Sequence, residues 1–151
     1  KEGEDACDPS EDEGYTTPPE IMVSQDEKQV FSTWDNIPTN VTGVCAVYAN
    51  YDTYWAVRFY NESIVTDLQW IKNNDSAVDP TTRAENPIDT PTKMSTAQYD
   101  FTFSQWDGDY TNITEAKNIY AVYNSILRKY NVEFYNLENG REILLWTQEN
   151  V

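Results

Sequence analysis

Alternation of apolar and polar side chains constrains the fold of this chain more than any other feature of its sequence. In the segment 99–104, Tyr99, Phe101 and Phe103 are separated by small or acidic polar residues. Successive side chains of a strand point to opposite faces of the sheet, so this period of two is typical of a half-buried strand. We therefore expect a mainly β protein.

Several other segments show the same strand-like pattern. The sequence predicts a hairpin whose strands, 44–49 and 54–60, flank a turn at Asn50-Tyr51-Asp52. Further strands are predicted over 64–72, 117–124, 127–136 and 142–148. The last two are joined at Asn139-Gly140, which is a strong hairpin signal because both residue types tolerate positive φ.

A short helix is predicted ahead of the strands. Ser24 and Glu27 have the spacing of a capping box, and Val30, Phe31 and Trp34 then fall on one helical face. One N-terminal helix followed by six or seven antiparallel strands predicts a barrel or a sandwich.

The segment 73–97 has no hydrophobic period and contains prolines at 80, 87 and 91. A loop of this length in a small domain is either functional or hides a missed strand. Long loops on rigid scaffolds often carry recognition, so two hypotheses stay open, a contact loop and a disordered connector.

Charge limits the classes of partner. The chain has 26 acids, ten bases and no histidine, a net charge of −16. Such a surface repels nucleic acid and anionic membranes and attracts basic proteins. Ten of the acids lie in the first 27 residues, beside a single base, Lys1. We expect an acidic arm over 1–23 and a folded domain over 24–151.

The two cysteines, Cys7 in the arm and Cys45 in the folded part, predict a disulfide between arm and body. Closing a loop of about 38 residues stabilises a fold by roughly 3–4 kcal/mol in the chain-entropy model. The alternative is a pair of free, buried cysteines.

Four Asn-x-Ser/Thr sequons predict N-glycosylation at Asn40, Asn61, Asn74 and Asn112. Together with the predicted disulfide they favour a secreted, extracellular glycoprotein. The sequence contains no apolar run of about 20 residues, the length that a membrane span needs. Because it begins at Lys1, we interpret it as a mature secreted form.

Catalysis is not expected. Without histidine there is no Ser-His-Asp or Cys-His arrangement and no imidazole metal site, and no Gly-rich phosphate loop is present. Among 26 carboxylates some pair always has the spacing of a glycosidase, so that signal is uninformative. We predict a binding protein that uses no metal and no cofactor.

Several of these features resemble the tick salivary lipocalins. The resemblance covers about 24–148 and depends on Trp34 in the predicted helix, Cys45 in a strand, the segment 119–123, and the terminal segment 142–146 with its Leu-Trp pair. It implies an antiparallel lipocalin-like barrel secreted in saliva. The general Gly-x-Trp signature of lipocalins is absent.

Within that group, the small size, low isoelectric point, sequons and acidic N-terminus are similar to the Isac-type anticomplement proteins. These are secreted inhibitors of the alternative complement pathway that act on properdin, a basic protein. The resemblance therefore implies immune evasion through properdin binding, and the charge argument agrees with it.

Two sets of candidate site residues follow. The first is a partner-binding set in the arm, Glu11, Asp12, Glu13 and Tyr15, in which Tyr15 also fits a sulfation acceptor. Its alternative is a solvated tail that only keeps the protein soluble.

The second set belongs to the alternative function, a lipocalin that sequesters a biogenic amine or a lipid mediator. It would line a lumen with aromatic residues: Trp55, Phe59, Tyr99, Phe101 and Phe103. Asp67 and Glu133 are conceivable partners of the amine. Ordinary core packing explains the same aromatic residues, and in both functions we expect a monomer.

Overall fold

The computed structural model describes residues 3–151 and is mainly β. A 3-10 turn at Pro9–Glu11 is the one helical element of this described part. Eight strands follow it: β1 Ile21–Met22, β2 Glu27–Trp34, β3 Ala49–Asn61, β4 Ile64–Lys72, β5 Tyr99–Trp106, β6 Lys117–Leu127, β7 Val132–Glu138 and β8 Arg141–Gln148.

The chain divides into two compact units. One comprises 1–89 with 106–120, and we call it the acidic unit. The other comprises 90–105 with 121–151, and we call it the hairpin unit. Residues 3–23 belong to the acidic unit, and the division into an acidic arm and a folded domain stays a prediction.

Strand β3 organises the acidic unit. Tyr54 and Trp55 pair with both β2 and β4, which places these two strands on opposite edges of β3. Farther along, the segment 57–60 pairs with β4 and also, in parallel, with the first residues of β6. One edge of β3 is therefore covered by β4, and the other is shared by β2 and β6.

The core of the acidic unit lies on this strand. Ala56, Val57 and Phe59 are fully buried. The Phe59 ring meets Trp106 and Tyr110 nearly edge-on, at centroid distances of 5.1 and 5.4 Å. Ala56 and Val57 are neighbours and point to opposite faces, so β3 is buried on both faces at this point, although Arg58 interrupts the apolar run before Phe59.

The predicted N-terminal helix is wrong, because its residues form β2. The hydroxyl of Ser24 does accept hydrogen bonds from the backbone N–H groups of Asp26 and Glu27, at 3.0 and 3.1 Å. After this turn the chain extends instead of coiling. The pairing of β2 with β3 outweighs the local helix signal, and Val30 and Phe31 are good strand residues.

The predicted hairpin over 44–60 is also wrong. The segment 44–48 forms no strand, and the predicted turn Asn50-Tyr51-Asp52 lies within β3, where it pairs with β2. Other elements are confirmed. Strand β4 has the predicted bounds, the alternation at 99–104 lies in β5, and Asn139 and Gly140 turn the final hairpin with φ of 52° and 77°.

In the hairpin unit, β5 and β6 are neighbours, whereas β7 and β8 form a separate two-stranded sheet. The strands of the described residues do not close into a barrel. The predicted strand at 127–136 begins later, at Val132. The prediction of a mainly β protein is confirmed, and the lipocalin-like barrel belongs with the proposals below.

The beginning of the arm pairs with the segment 38–41. Val41 accepts a hydrogen bond from the Gly3 N–H and donates one to the Glu4 carbonyl, both at 2.8 Å. The two segments are antiparallel, so Cys7 and Cys45 follow the paired residues at opposite ends. Both cysteines are exposed, and the predicted disulfide is not formed in the structure.

Candidate functional site

The acidic unit carries nearly all of the net charge. It holds 21 acids and six bases, a net charge of −15, whereas the hairpin unit holds five acids and four bases, a net charge of −1. Linear sequence hides this separation because each unit is assembled from two segments. The acidic unit is therefore the candidate surface for a basic partner.

Internal contacts engage the bases of this unit that the structure describes. Four of them form ion pairs, and Lys117 donates to the Asp109 carbonyl at 2.7 Å. The ion pairs are Lys28–Glu20 at 3.0 Å, Arg58–Asp26 at 2.7 Å, Lys72–Asp52 at 2.6 Å and Arg83–Asp67 at 2.9 Å. Because acids so outnumber bases, most carboxylates keep an uncompensated charge.

The predicted partner-binding acids lie on and just after the 3-10 turn. Asp8 caps the turn, accepting hydrogen bonds from the Ser10 N–H at 2.9 Å and from its hydroxyl at 2.7 Å. These bonds, the backbone one first, lower the pKa of Asp8. Glu11, Asp12 and Glu13 follow and are all exposed. The turn thus presents three consecutive carboxylates to solvent.

Tyr15 differs from the three acids before it. Its backbone N–H donates to the Asp12 carbonyl at 3.0 Å, which continues the turn. The ring is half-buried, and the hydroxyl is buried with no hydrogen-bond partner. In this conformation Tyr15 anchors the arm, and its hydroxyl is not presented for sulfation.

The predicted lumen residues are divided between the units. Phe59 is core, and Trp55 is half-buried, with its indole N–H donating to Asn73 at 3.0 Å. The other three residues, Tyr99, Phe101 and Phe103, lie in the hairpin unit. The described part of the chain encloses no pocket.

The protein's own lysines cover several aromatic faces. Lys93 Nζ lies 4.9 Å from the centroid of Phe101, which is one of the predicted lumen residues. Lys28 Nζ lies 5.4 Å from the Trp70 ring and 3.0 Å from Glu20. An aromatic face beside a carboxylate is the arrangement expected for an amine ligand, and here a lysine fills it.

A polar network that sequence analysis missed fixes the first part of the loop 73–97. Each of the two terminal nitrogens of Arg83 donates a hydrogen bond to one carboxylate oxygen of Asp67, both at 2.9 Å. Gln69 Nε2 donates to Asp67 at 2.9 Å and to the Val78 carbonyl at 2.8 Å. Asp79 accepts from the Trp106 indole at 3.1 Å. The loop is thus tied to β4, and Asp67 has a partner within the protein.

No local pattern marks Gln69 or Arg83, so their roles could be found only from contacts that are distant in sequence. The other conceivable amine partner, Glu133, is exposed on β7 and accepts a hydrogen bond from the Tyr135 hydroxyl. This bond is the main cause of the raised pKa of Tyr135.

Three of the predicted glycosylation sites, Asn40, Asn74 and Asn112, are exposed, and Asn61 is half-buried at the end of β3. Two sequons lie side by side, since the Asn112 N–H donates to Ser76, the acceptor serine of the Asn74 sequon, at 3.2 Å. Glycans at Asn74 and Asn112 would cover the same patch. Glycosylation itself stays a prediction.

Within residues 3–151 no group of three or more histidine, cysteine, aspartate or glutamate side chains is placed to hold a metal ion. No helix of that part is both long and apolar enough to span a bilayer. No protein-family model, curated protein or solved structure matches this chain. Functional inference therefore depends on its charge and its surfaces.

Proposed function

We propose that this protein is a secreted, non-enzymatic binding protein whose acidic unit captures a basic protein. The observation that carries the proposal is the confinement of charge, −15 on the acidic unit against −1 on the hairpin unit. Since the described bases of the acidic unit are engaged internally, its field is available to a cationic surface.

The mechanism is electrostatic steering followed by short-range contact. A concentrated negative potential raises the rate of encounter with a basic protein, and salt screens it over about 8–10 Å near physiological ionic strength. Exposed acids contribute mainly to the association rate, whereas desolvated contacts set the dissociation rate. Glu11, Asp12 and Glu13 are suited to the first role because all three are exposed.

For the partner we propose properdin, with inhibition of the alternative complement pathway as the result. This part depends on the resemblance to the tick salivary lipocalins of the Isac type, in which properdin is the basic target. A mainly β architecture supports that resemblance at the level of fold class, and the lipocalin-like barrel and salivary secretion belong to the same proposal. Capture of an amine is not proposed, because Lys93 covers the ring of Phe101, one of the candidate lumen residues, and the described part of the chain encloses no pocket.

The test is binding of purified properdin to the immobilised full chain at about 50 mM and about 300 mM NaCl. We expect the association rate to fall steeply with salt while the dissociation rate changes little. A haemolysis assay of the alternative pathway should then show inhibition by the free chain. Absence of binding to properdin would reject this partner. An association rate that does not change with salt concentration would reject the electrostatic mechanism.

A further inference from the structure

The outer edge of β8 is unused. β8 pairs with β7 along one edge, and within residues 3–151 it pairs with no other strand. Its central side chains are exposed, from 40% for Ile143 to 65% for Leu145. Free strand edges recruit further strands, and a two-stranded sheet alone is marginal in water. The edge is therefore suited to strand addition.

Charge selects the occupant of this edge. β8 contains only Arg141 and Glu142 as charged residues, so its net charge is zero, whereas β7 contains Glu133 and Glu138 and no base. A basic protein is attracted to the acidic unit. A second copy of the chain, at −16, meets less repulsion at β8 than at β7 or on the acidic unit.

We propose that two copies of the chain associate through antiparallel pairing of their β8 strands. The β7–β8 hairpin contains a β-bulge, and this bulge determines which register is possible between the two copies of β8. Phe134 pairs with Trp146 and Asn136 with Ile143, and Phe134 and Asn136 share a face because they are two residues apart. Ile143 and Trp146 therefore share that face although they are three apart, since Leu145 is the extra residue of the bulge.

Residues directly opposite each other in an antiparallel pair lie on one face of the sheet. Placing Ile143 of one copy opposite Trp146 of the other satisfies this rule at the ladder positions on both sides of the bulge, and Leu144 then faces the bulge residue Leu145. Arg141 then faces Gln148, and Glu142 faces Thr147, so no like charges are opposed. The product is a four-stranded sheet whose apolar face includes the Phe134–Trp146 stack of both copies, with ring centroids 5.2 Å apart in each.

This dimer goes beyond the proposed function and replaces the monomer expected from the sequence. It also responds to salt in the opposite direction. Screening weakens repulsion between two chains of −16, so salt should strengthen self-association while it weakens capture of a basic partner. The two proposals can therefore fail separately.

The test is sedimentation equilibrium of the full chain and of two variants at Gln148, an exposed position that faces Val132 within its own hairpin. Gln148→Glu places a carboxylate opposite Arg141 of the second copy, and Gln148→Lys places two cations opposite each other. We expect the first to tighten and the second to weaken the dimer, each by about two- to tenfold. Far-UV circular dichroism checks that both variants fold.

Net charge alone would have the opposite effects. Gln148→Glu makes the chain more negative and would weaken the dimer, and Gln148→Lys makes it less negative and would tighten the dimer. A chain that stays monomeric at high micromolar concentration and about 500 mM NaCl would overturn the proposal. A dimer that Gln148→Lys strengthens, or that neither variant changes, would overturn it as well.

Discussion

Arg83 and Asp67 show how burial determines the contribution of an ion pair to the free energy of unfolding. Their side chains are 21% and 10% exposed, whereas those of Lys72 and Asp52 are 45% and 33% exposed. Removing one partner of a mostly buried pair leaves a charge without compensation. We expect Arg83→Ala to lower the free energy of unfolding by about 2–3 kcal/mol, measured by urea denaturation.

Lys72→Ala is the matched control for this prediction, because it removes a base from an exposed pair with a similar contact distance, 2.6 Å against 2.9 Å. Its effect on the urea midpoint should be much smaller. Equal losses in the two variants would show that the Arg83 network does not hold the loop.

Tyr110 gives a pH-dependent prediction. Burial raises the pKa of its hydroxyl, so the folded protein keeps this phenol neutral above the pH at which an unfolded tyrosine ionises, about 10. The stabilising contribution is complete below pH ~10 and is lost as pH rises toward the folded-state pKa. Tyr110→Phe should flatten the fall of the urea midpoint above pH ~10, and an unchanged slope would contradict this assignment.

Strands and turns were predicted best from the sequence where interactions between neighbouring residues determine the local structure. The period of two at 99–104 and the Asn139-Gly140 turn are local signals, and both appear in the structure. The capping box at Ser24 is local as well, and its hydrogen bonds form. It failed as a helix signal because the pairing of β2 with β3 depends on residues about 20 positions away.

A substitution at Gly140 tests whether the Asn139-Gly140 turn stabilises the β7–β8 hairpin. Its φ of 77° belongs to the left-handed region, which a β-carbon disfavours by roughly 1 kcal/mol. Gly140→Ala should speed amide hydrogen exchange across β7 and β8. Gly43→Ala is the control, because φ at Gly43 is not positive and an added β-carbon meets no atom within 4 Å. Similar exchange rates in both variants would contradict this role.

For the whole molecule, composition alone predicted an acidic binding protein but not where its charge is placed. The acidic arm was visible in the first 27 residues, yet the nearly neutral unit joins 90–105 with 121–151, and only contacts between distant segments define it. The same limit applies to the candidate site. Glu11, Asp12 and Glu13 are exposed, and their role in partner binding stays a prediction, whereas the buried Tyr15 hydroxyl had no sequence signal.

The central claim is that the location of the charge, and not its total, determines partner capture. Two variants remove three negative charges each, Glu11→Gln/Asp12→Asn/Glu13→Gln in the arm and Glu133→Gln/Glu138→Gln/Glu142→Gln in the hairpin unit. Their association rates with properdin should be measured at low ionic strength and nanomolar concentration. We predict a several-fold slower rate for the arm variant and a smaller change for the hairpin variant, and equal rates in the two variants would contradict the account.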